Sequence, residues 1–412
     1  MSTITQTSTV TETEESLGGA VSGALRKLPM GFMLFLFGWR TWEWVTMTFT
    51  DPEFITGFDW VAFDMVADRF SAGEEIYVPL SEEETLPWLY PPVMVFIFLP
   101  LRYLGEIHSW EAIVGVLTVA FLFSCIAISK SFELSPLVAL VYGLGMVMPS
   151  SSILMGQLTM LTLAVVAVAM HFEKQGRATA SGLTLAFLAL KPPLLLLAAP
   201  VFLLRGTAQR AVGFAVGVSG LIAVHLVLLP TETQSFIDSS RRMAELQRED
   251  GALPFEKMAN VFGWMIGTVG LHPTDIRVHI AWISVAVISS AVAAWAILSR
   301  GRTDWMLAFA LGGCLAVMAS PRIYWYDAAV LLIPVLLMAT RSHKLATGAA
   351  LLIAVGSLAS GFSWGMNLLF VISAGLLMGA LISSKSEYGR SGFSSIPQAH
   401  SKREHLTPRS HH

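Results

Sequence analysis

The chain has 412 residues, of which 54% are hydrophobic and 13% charged, with a mean hydropathy of +0.64. Soluble domains carry about 25% charged residues, so this composition excludes a water-facing domain, a disordered scaffold and a small disulfide-built secreted fold. Its 26 basic and 29 acidic residues leave a formal net charge of −3, with no positive field to gather a nucleic acid.

In chain order, residues 1–25 are rich in Ser, Thr and Glu and are expected to form a disordered cytoplasmic segment. The first apolar run begins near Met30 and is too long for the core of a cleavable signal peptide. A helix needs roughly 20 apolar residues to cross a bilayer. Such runs fall near 29–49, 110–129, 157–171, 209–230, 278–299, 304–319, 324–340, 344–360 and 362–382. Shorter, proline-marked segments lie at 91–107, 134–149, 179–190 and 192–204, and some of these are expected to bend or cross only halfway. The expected fold is an all-α polytopic membrane protein of about 12 crossings, one of them partial between 91 and 156. Residues 26–384 form its transmembrane domain and 385–412 a disordered basic tail. Cys125 and Cys314 lie inside apolar runs and read as core packing.

Lys and Arg set the orientation, because they collect in short cytoplasmic loops. Arg26-Lys27, Lys174 with Arg177, Arg205 with Arg210, Arg300 with Arg302, Arg341 with Lys344 and the tail are all cytoplasmic if 179–204 is a hairpin. That solution puts 50–90, Gly156-Gln157, Lys191-Pro192-Pro193, 231–277 and 320–327 outside. Polar sequence therefore gathers on one face.

The first outer loop, 50–90, carries ten acids and one base, Arg69. Within it, Phe58 to Phe70 has a helical apolar pattern through Phe58, Val61, Ala62, Met65, Val66 and Phe70. Asp64 and Asp68 fall on its polar face, whereas Asp59 projects among Phe63, Val66 and Phe70. A carboxylate there is either a helix cap or a functional group. The late outer loop, 231–277, carries Arg241, Arg242, Glu245, Arg248, Glu249 and Asp250, which suit a surface helix with local ion pairs. Phe262 to Ile266 then reads as an interfacial or re-entrant piece.

Several short motifs recur in order along these outer segments. They are Asp59-Trp-Val-Ala-Phe63, Gly73-Glu-Glu-Ile-Tyr77, Tyr90-Pro91-Pro92 and Leu99-Pro100-Leu101, then Gly156-Gln157 and Ala189-Leu190-Lys191-Pro192. Asn260, Ser320-Pro321-Arg322 and Tyr326-Asp327 complete the set. Together they resemble the pattern of polyprenol-phosphate-mannose-dependent mannosyltransferases, glycosyltransferase family 87 of the GT-C superfamily. Two departures stand out: Phe63 where Tyr is common, and Arg322-Ile-Tyr-Trp-Tyr-Asp327 where some members carry Trp and His after Ser-Pro.

The resemblance implies a GT-C fold with an amphipathic helix in the first outer loop, in a bacterial inner membrane. It implies transfer of a sugar, with mannose expected, from a polyprenyl-phosphate donor to a hydroxyl of a glycolipid or lipid-linked glycan. Transfer would occur on the outer face with inversion at the anomeric carbon. That chemistry needs a base for the acceptor proton and cations or hydrogen bonds for the leaving phosphate. Asp59 is the candidate base. Lys191 is a candidate phosphate ligand or a snorkelling interfacial lysine. Arg322 either binds phosphate or pairs with Asp327, and the two can coexist.

Gln157 and Asn260 suit sugar hydroxyls or helix ends, and Tyr90, Tyr324, Trp325 and Tyr326 suit pyranose faces or an interfacial aromatic belt. Asp327 completes the candidate sugar or acceptor contacts. No cofactor and no metal is expected, because no His or Cys stands at ligand spacing and a lipid-phosphate donor has no pyrophosphate to neutralise. A nucleotide-sugar donor lacks its glycine-rich loop. The competing class, a transporter or flippase of a lipid-linked sugar, needs charges near mid-membrane, where these runs are nearly charge-free.

Overall fold

A computed structural model describes residues 58–78, 90–104, 106–246, 255–359 and 367–384, with scattered helical residues between 31 and 46. The expected tails 1–25 and 385–412 lie outside the described residues, as does most of the first apolar run.

The described chain is helical. α1 (Phe58–Ala72) lies within the 50–90 segment, followed by α2 (Val95–Arg102) and α3 (Glu106–Ser131). α4 (Pro136–Gly145), α5 (Met148–Leu154), α6 (Thr159–Lys174) and α7 (Ala178–Leu185) come next. Tight 3₁₀ turns then fill Ala186–Leu190, Pro192–Leu197 and Ala199–Leu203. After α8 (Thr207–Leu228) and α9 (Pro230–Leu246) come α10 (Val261–Gly267), α11 (Ile276–Ser299) and α12 (Trp305–Ala319). A 3₁₀ turn at Trp325–Leu331 leads into α13 (Leu332–Ala339), then α14 (His343–Ala359) and α15 (Asn367–Ser383). Among the described residues there is no sheet, only an isolated bridge between Met258 and Tyr324.

Three stretches, Ser109–Ser131 of α3, Thr207–Leu228 and Ile276–Ser299, are long and apolar enough to cross a membrane. α4 and α5 make a fourth if taken as one span bent by 73°. The remaining apolar helices are shorter. This is a membrane protein built of helices.

Local sequence explains where the helices start and break. Ser135 caps α4 by accepting from the Leu137 amide, with Pro136 at the first helical position. The bend between α4 and α5 turns on Val147, whose φ of 67° is an outlier for a β-branched residue. It lies within the proline-marked segment expected to bend, and Pro149 opens the next helix. The hairpin tip is broken at Lys191, whose φ and ψ of −131° and 78° lie outside the α region that a following proline disfavours.

α12 is the central helix, with Leu307 to Val317 buried throughout. Its Gly312 faces the Leu197 carbonyl so closely that an added Cβ would lie 2.1 Å from that oxygen. α7 and α8 meet in the same manner: a Cβ on Gly182 would be 2.1 Å from the Arg210 carbonyl oxygen, and one on Gly213 2.0 Å from that of Thr179. Small residues let membrane helices approach this closely. Gly213→Val therefore forces α7 and α8 apart and is expected to lower the thermal unfolding midpoint in detergent markedly, whereas Gly220→Ala, in open space, leaves it unchanged.

The basic loops gather at one end. The Arg205 amide donates to the Arg302 carbonyl at 2.8 Å. Arg300 reaches the carbonyls of Leu381, Ile382 and Ser384 at 2.9–3.1 Å, and Arg341 reaches that of Leu381 at 2.7 Å. These cations satisfy the last carbonyls of α15 and oppose its dipole. Arg210 departs from the loop pattern. It is buried and grips Glu173 in a two-pronged pair, Nε to Oε1 at 2.5 Å and Nη2 to Oε2 at 2.8 Å. The 22 residues of α8 rise about 33 Å from this end to the other, where the polar segments meet.

Candidate active site

At that other end, residues from two distant segments, 157–159 and 326–327, converge on the ammonium of Lys191. The broken backbone before Pro192 frees this side chain from any helix face, and it is 8% exposed. Its Nζ donates to Asp327 Oδ1 at 2.5 Å, to Thr159 Oγ1 at 2.8 Å and to Gln157 Oε1 at 3.3 Å. An ammonium has three N–H donors, and these contacts engage all three. Thr159 also donates its hydroxyl proton to Asp327 Oδ1. Asp327 is 1% exposed, Gln157 2% and Thr159 fully buried. The Tyr326 ring lies 5.5 Å from the ammonium, within cation–π range, and stacks on Tyr324 with centroids 5.6 Å apart.

Such a group is stable only as a set. A buried charge costs several kcal/mol unless paired and hydrogen-bonded, and here each sign supplies the other. Lys191 is thus no snorkelling lysine. Asp327 takes Lys191 as partner, so of the two alternatives for Arg322 the pair with Asp327 is not formed.

The 50–90 segment joins the cluster through aromatic residues. The Tyr90 hydroxyl donates to Gln157 Oε1 at 3.1 Å, so that oxygen receives both Tyr90 and Lys191. The Phe63 ring of α1 packs edge-on to Tyr90 at 5.2 Å and stacks on Phe98 at 4.2 Å. Among the described side chains of α1, Phe63, Val66 and Ala67 are buried and Asp68 is exposed. The buried stripe is thus turned slightly from the expected one, toward Phe63 and away from Ala62 and Met65, because Phe63 fills the space beside Tyr90. Asp59 is the second residue of α1, one turn before Phe63, and its side chain lies outside the described residues. Tyr77 donates to the Tyr90 carbonyl at 2.7 Å and packs on Phe236 of α9 at 5.6 Å. Burial, with Glu232 adding to it, pushes the Tyr77 phenol above its usual value, so it stays a donor.

Asn260 does a different task from the rest. Its Oδ1 accepts from the Gly263 amide at 2.8 Å, capping α10, and its Nδ2 donates to the Ser320 carbonyl at 2.7 Å. With the Ala259 amide on the Ile323 carbonyl at 2.7 Å, it pins the 320–324 segment. Arg322 in that segment is half-buried, and among the described residues its guanidinium makes no hydrogen bond or ion pair. Burial pulls its pKa below the usual arginine value, yet arginine stays charged.

Sequence reasoning singled out Tyr90, Gln157, Lys191, Tyr326 and Asp327, and the structure brings these together. It missed Thr159, whose only signal was its place two residues after Gln157 at the head of an apolar run. The expected surface helix appears as α9, with Arg241 on Asp238 at 3.3 Å, while 248–250 lies outside the described residues.

Residues 88–321, more than half of the chain, match the model of glycosyltransferase family 87. No curated protein and no solved structure matches the chain.

Proposed function

The chain is a glycosyltransferase of family 87, in the GT-C superfamily, and from that premise we propose that it moves a sugar, mannose in the first instance, from a polyprenyl-phosphate donor to a lipid or glycan hydroxyl. The observation that carries the donor class is the pair of cations at the polar end. Lys191 is a desolvated ammonium beside Gln157 and Tyr326, and Arg322 is a half-buried guanidinium without a protein anion among the described residues. A leaving lipid phosphate is the anion that needs both. Lys191 offers it a point charge and Arg322 a planar fork.

In this reading the reaction runs as one displacement. The acceptor oxygen attacks the anomeric carbon, Asp59 takes its proton, and the bond to the phosphate oxygen breaks as Lys191 and Arg322 receive the developing charge. Tyr90, Gln157, Tyr324 and Tyr326 face the sugar or acceptor, while Asp327 and Asn260 hold the elements that present them. The 3₁₀ segments and bent helices count with the longer ones as membrane segments of a GT-C fold of about 12 crossings. The arginine-rich end faces the cytoplasm of a bacterial inner membrane, and the Lys191 end faces outward. A transporter reading is less favoured, because the buried Lys–Asp pair sits with the loop residues Tyr90 and Tyr324 and not between apolar helix centres.

The test is transfer by purified protein in detergent, offered labelled polyprenyl-phosphate-mannose or a mannose nucleotide, with a lipid extract of the source cell as acceptor. Label is expected to move from the lipid donor alone, at a rate that EDTA leaves within about twofold, because phosphate charge is met by Lys191 and Arg322. Transfer from the nucleotide donor, or loss of transfer in EDTA, contradicts the reading.

A further inference from the structure

All three N–H donors of Lys191 are engaged within the protein, so an incoming phosphate must displace one partner. The three are not equivalent. Asp327 holds the ammonium at 2.5 Å by charge, Thr159 at 2.8 Å and Gln157 at 3.3 Å. The Gln157 contact is the longest and is neutral, and its acceptor oxygen keeps Tyr90 as a donor when Lys191 leaves. Thr159 differs in kind, because its hydroxyl accepts from Lys191 while donating to Asp327 Oδ1. Both roles of that hydroxyl are therefore used, and both tie the ammonium to the carboxylate from one side. The third N–H is left directed at Gln157.

We propose that Thr159 is a positioning residue for the donor: its hydroxyl holds the Lys191 ammonium so that the N–H now on Gln157 is the one presented to the donor phosphate. The inference rests on the reading of Lys191 as the phosphate ligand. Without the hydroxyl, Asp327 loses a donor and Lys191 an acceptor, and the ammonium turns further onto the carboxylate. The phosphate then competes with a more strongly paired lysine. Threonine is suited to this place because its Cβ substituents pack in a fully buried position, fixing the rotamer from which the oxygen bridges the two charges.

The test is binding of a short-chain polyprenyl phosphate to the purified full-length protein, with the donor KM and kcat measured alongside. Thr159→Val keeps the shape and removes the hydroxyl. It is expected to raise the Kd for the phosphate and the donor KM roughly tenfold, the scale of a hydrogen bond to a charged group, with kcat within about threefold. Thr159→Ser restores wild-type binding, and Lys191→Met abolishes it, as does the Lys191→Met/Asp327→Asn variant, in which the buried charge left by the single change is gone. Should Thr159→Val fail to accumulate as folded protein, Thr159→Cys, a weaker donor of similar size, carries the comparison with a smaller rise. Wild-type binding by Thr159→Val, with Lys191→Met still defective, overturns the role of Thr159 and leaves Lys191 as ligand. Wild-type binding by Lys191→Met overturns both. A Thr159→Ser variant as impaired as Thr159→Val also overturns the proposal, since the hydroxyl would then not be the cause.

Discussion

Asp59→Asn is expected to abolish sugar transfer, by about 10²–10⁴-fold, the usual contribution of a general base, with folding intact. The substitution separates the two uses a carboxylate has at this position. Asparagine caps a helix as well as aspartate does, so α1 keeps its start, but a carboxamide takes no proton at neutral pH. Support for the base reading comes from register: the helical period sets position 59 in line with Phe63, Val66 and Phe70. Phe63 packs on Tyr90, and Tyr90 bonds to Gln157, which bonds to Lys191. Transfer rates of the two proteins, with thermal unfolding as the control for folding, give the comparison. Full activity in the variant returns Asp59 to helix capping and the search for a base to the other acids of the first outer loop.

The second large effect is on stability. Lys191→Met leaves the Asp327 carboxylate 1% exposed with Thr159 as its remaining hydrogen-bond donor. Breaking a buried pair in this way costs about 3–5 kcal/mol, and the unfolding midpoint should drop accordingly. Asp327→Asn alone has the converse fault, a buried ammonium without its anion, and should destabilise by a similar amount. Combining the two removes both charges and is expected to recover most of the loss, because an apolar or neutral pair of similar volume is tolerated where a lone charge is not. A double variant destabilised by the sum of the two single losses would mean that the two side chains do not depend on each other. Unfolding of the four proteins in one detergent forms a double-mutant cycle that measures the coupling.

Much of the helical layout was legible because apolar run length is a strong signal. The run expected at 278–299 appears as Ile276–Ser299, that at 304–319 as Trp305–Ala319, and the amphipathic helix of the first outer loop as Phe58–Ala72. Breaks were less legible. The run 324–340 reads as one helix but is a 3₁₀ turn followed by a short α-helix. The bend of α4 on α5 falls in a segment that Pro149 marks, but it turns on Val147, which nothing in the sequence singles out.

Partner choice was the least legible part of the site. Asp327 stands five residues from Arg322 and 136 from Lys191, and only the fold brings the distant lysine in. Arg210 belongs by sequence to a basic loop, yet it is consumed by Glu173 at the far end of α6. Thr159 carries no motif, because one hydroxyl at the head of an apolar helix is ordinary until its neighbours are known.

The most direct test of the central claim, that this charged cluster receives the donor phosphate of a sugar transfer, is the activity of the Lys191→Met/Asp327→Asn double variant. With an unfolding midpoint close to wild type, it is expected to transfer sugar from polyprenyl-phosphate-mannose at least a hundredfold more slowly, the scale of losing a preorganised charge at a leaving group. A stable double variant that transfers sugar at the wild-type rate would show that the pair serves folding alone and that the phosphate is bound elsewhere.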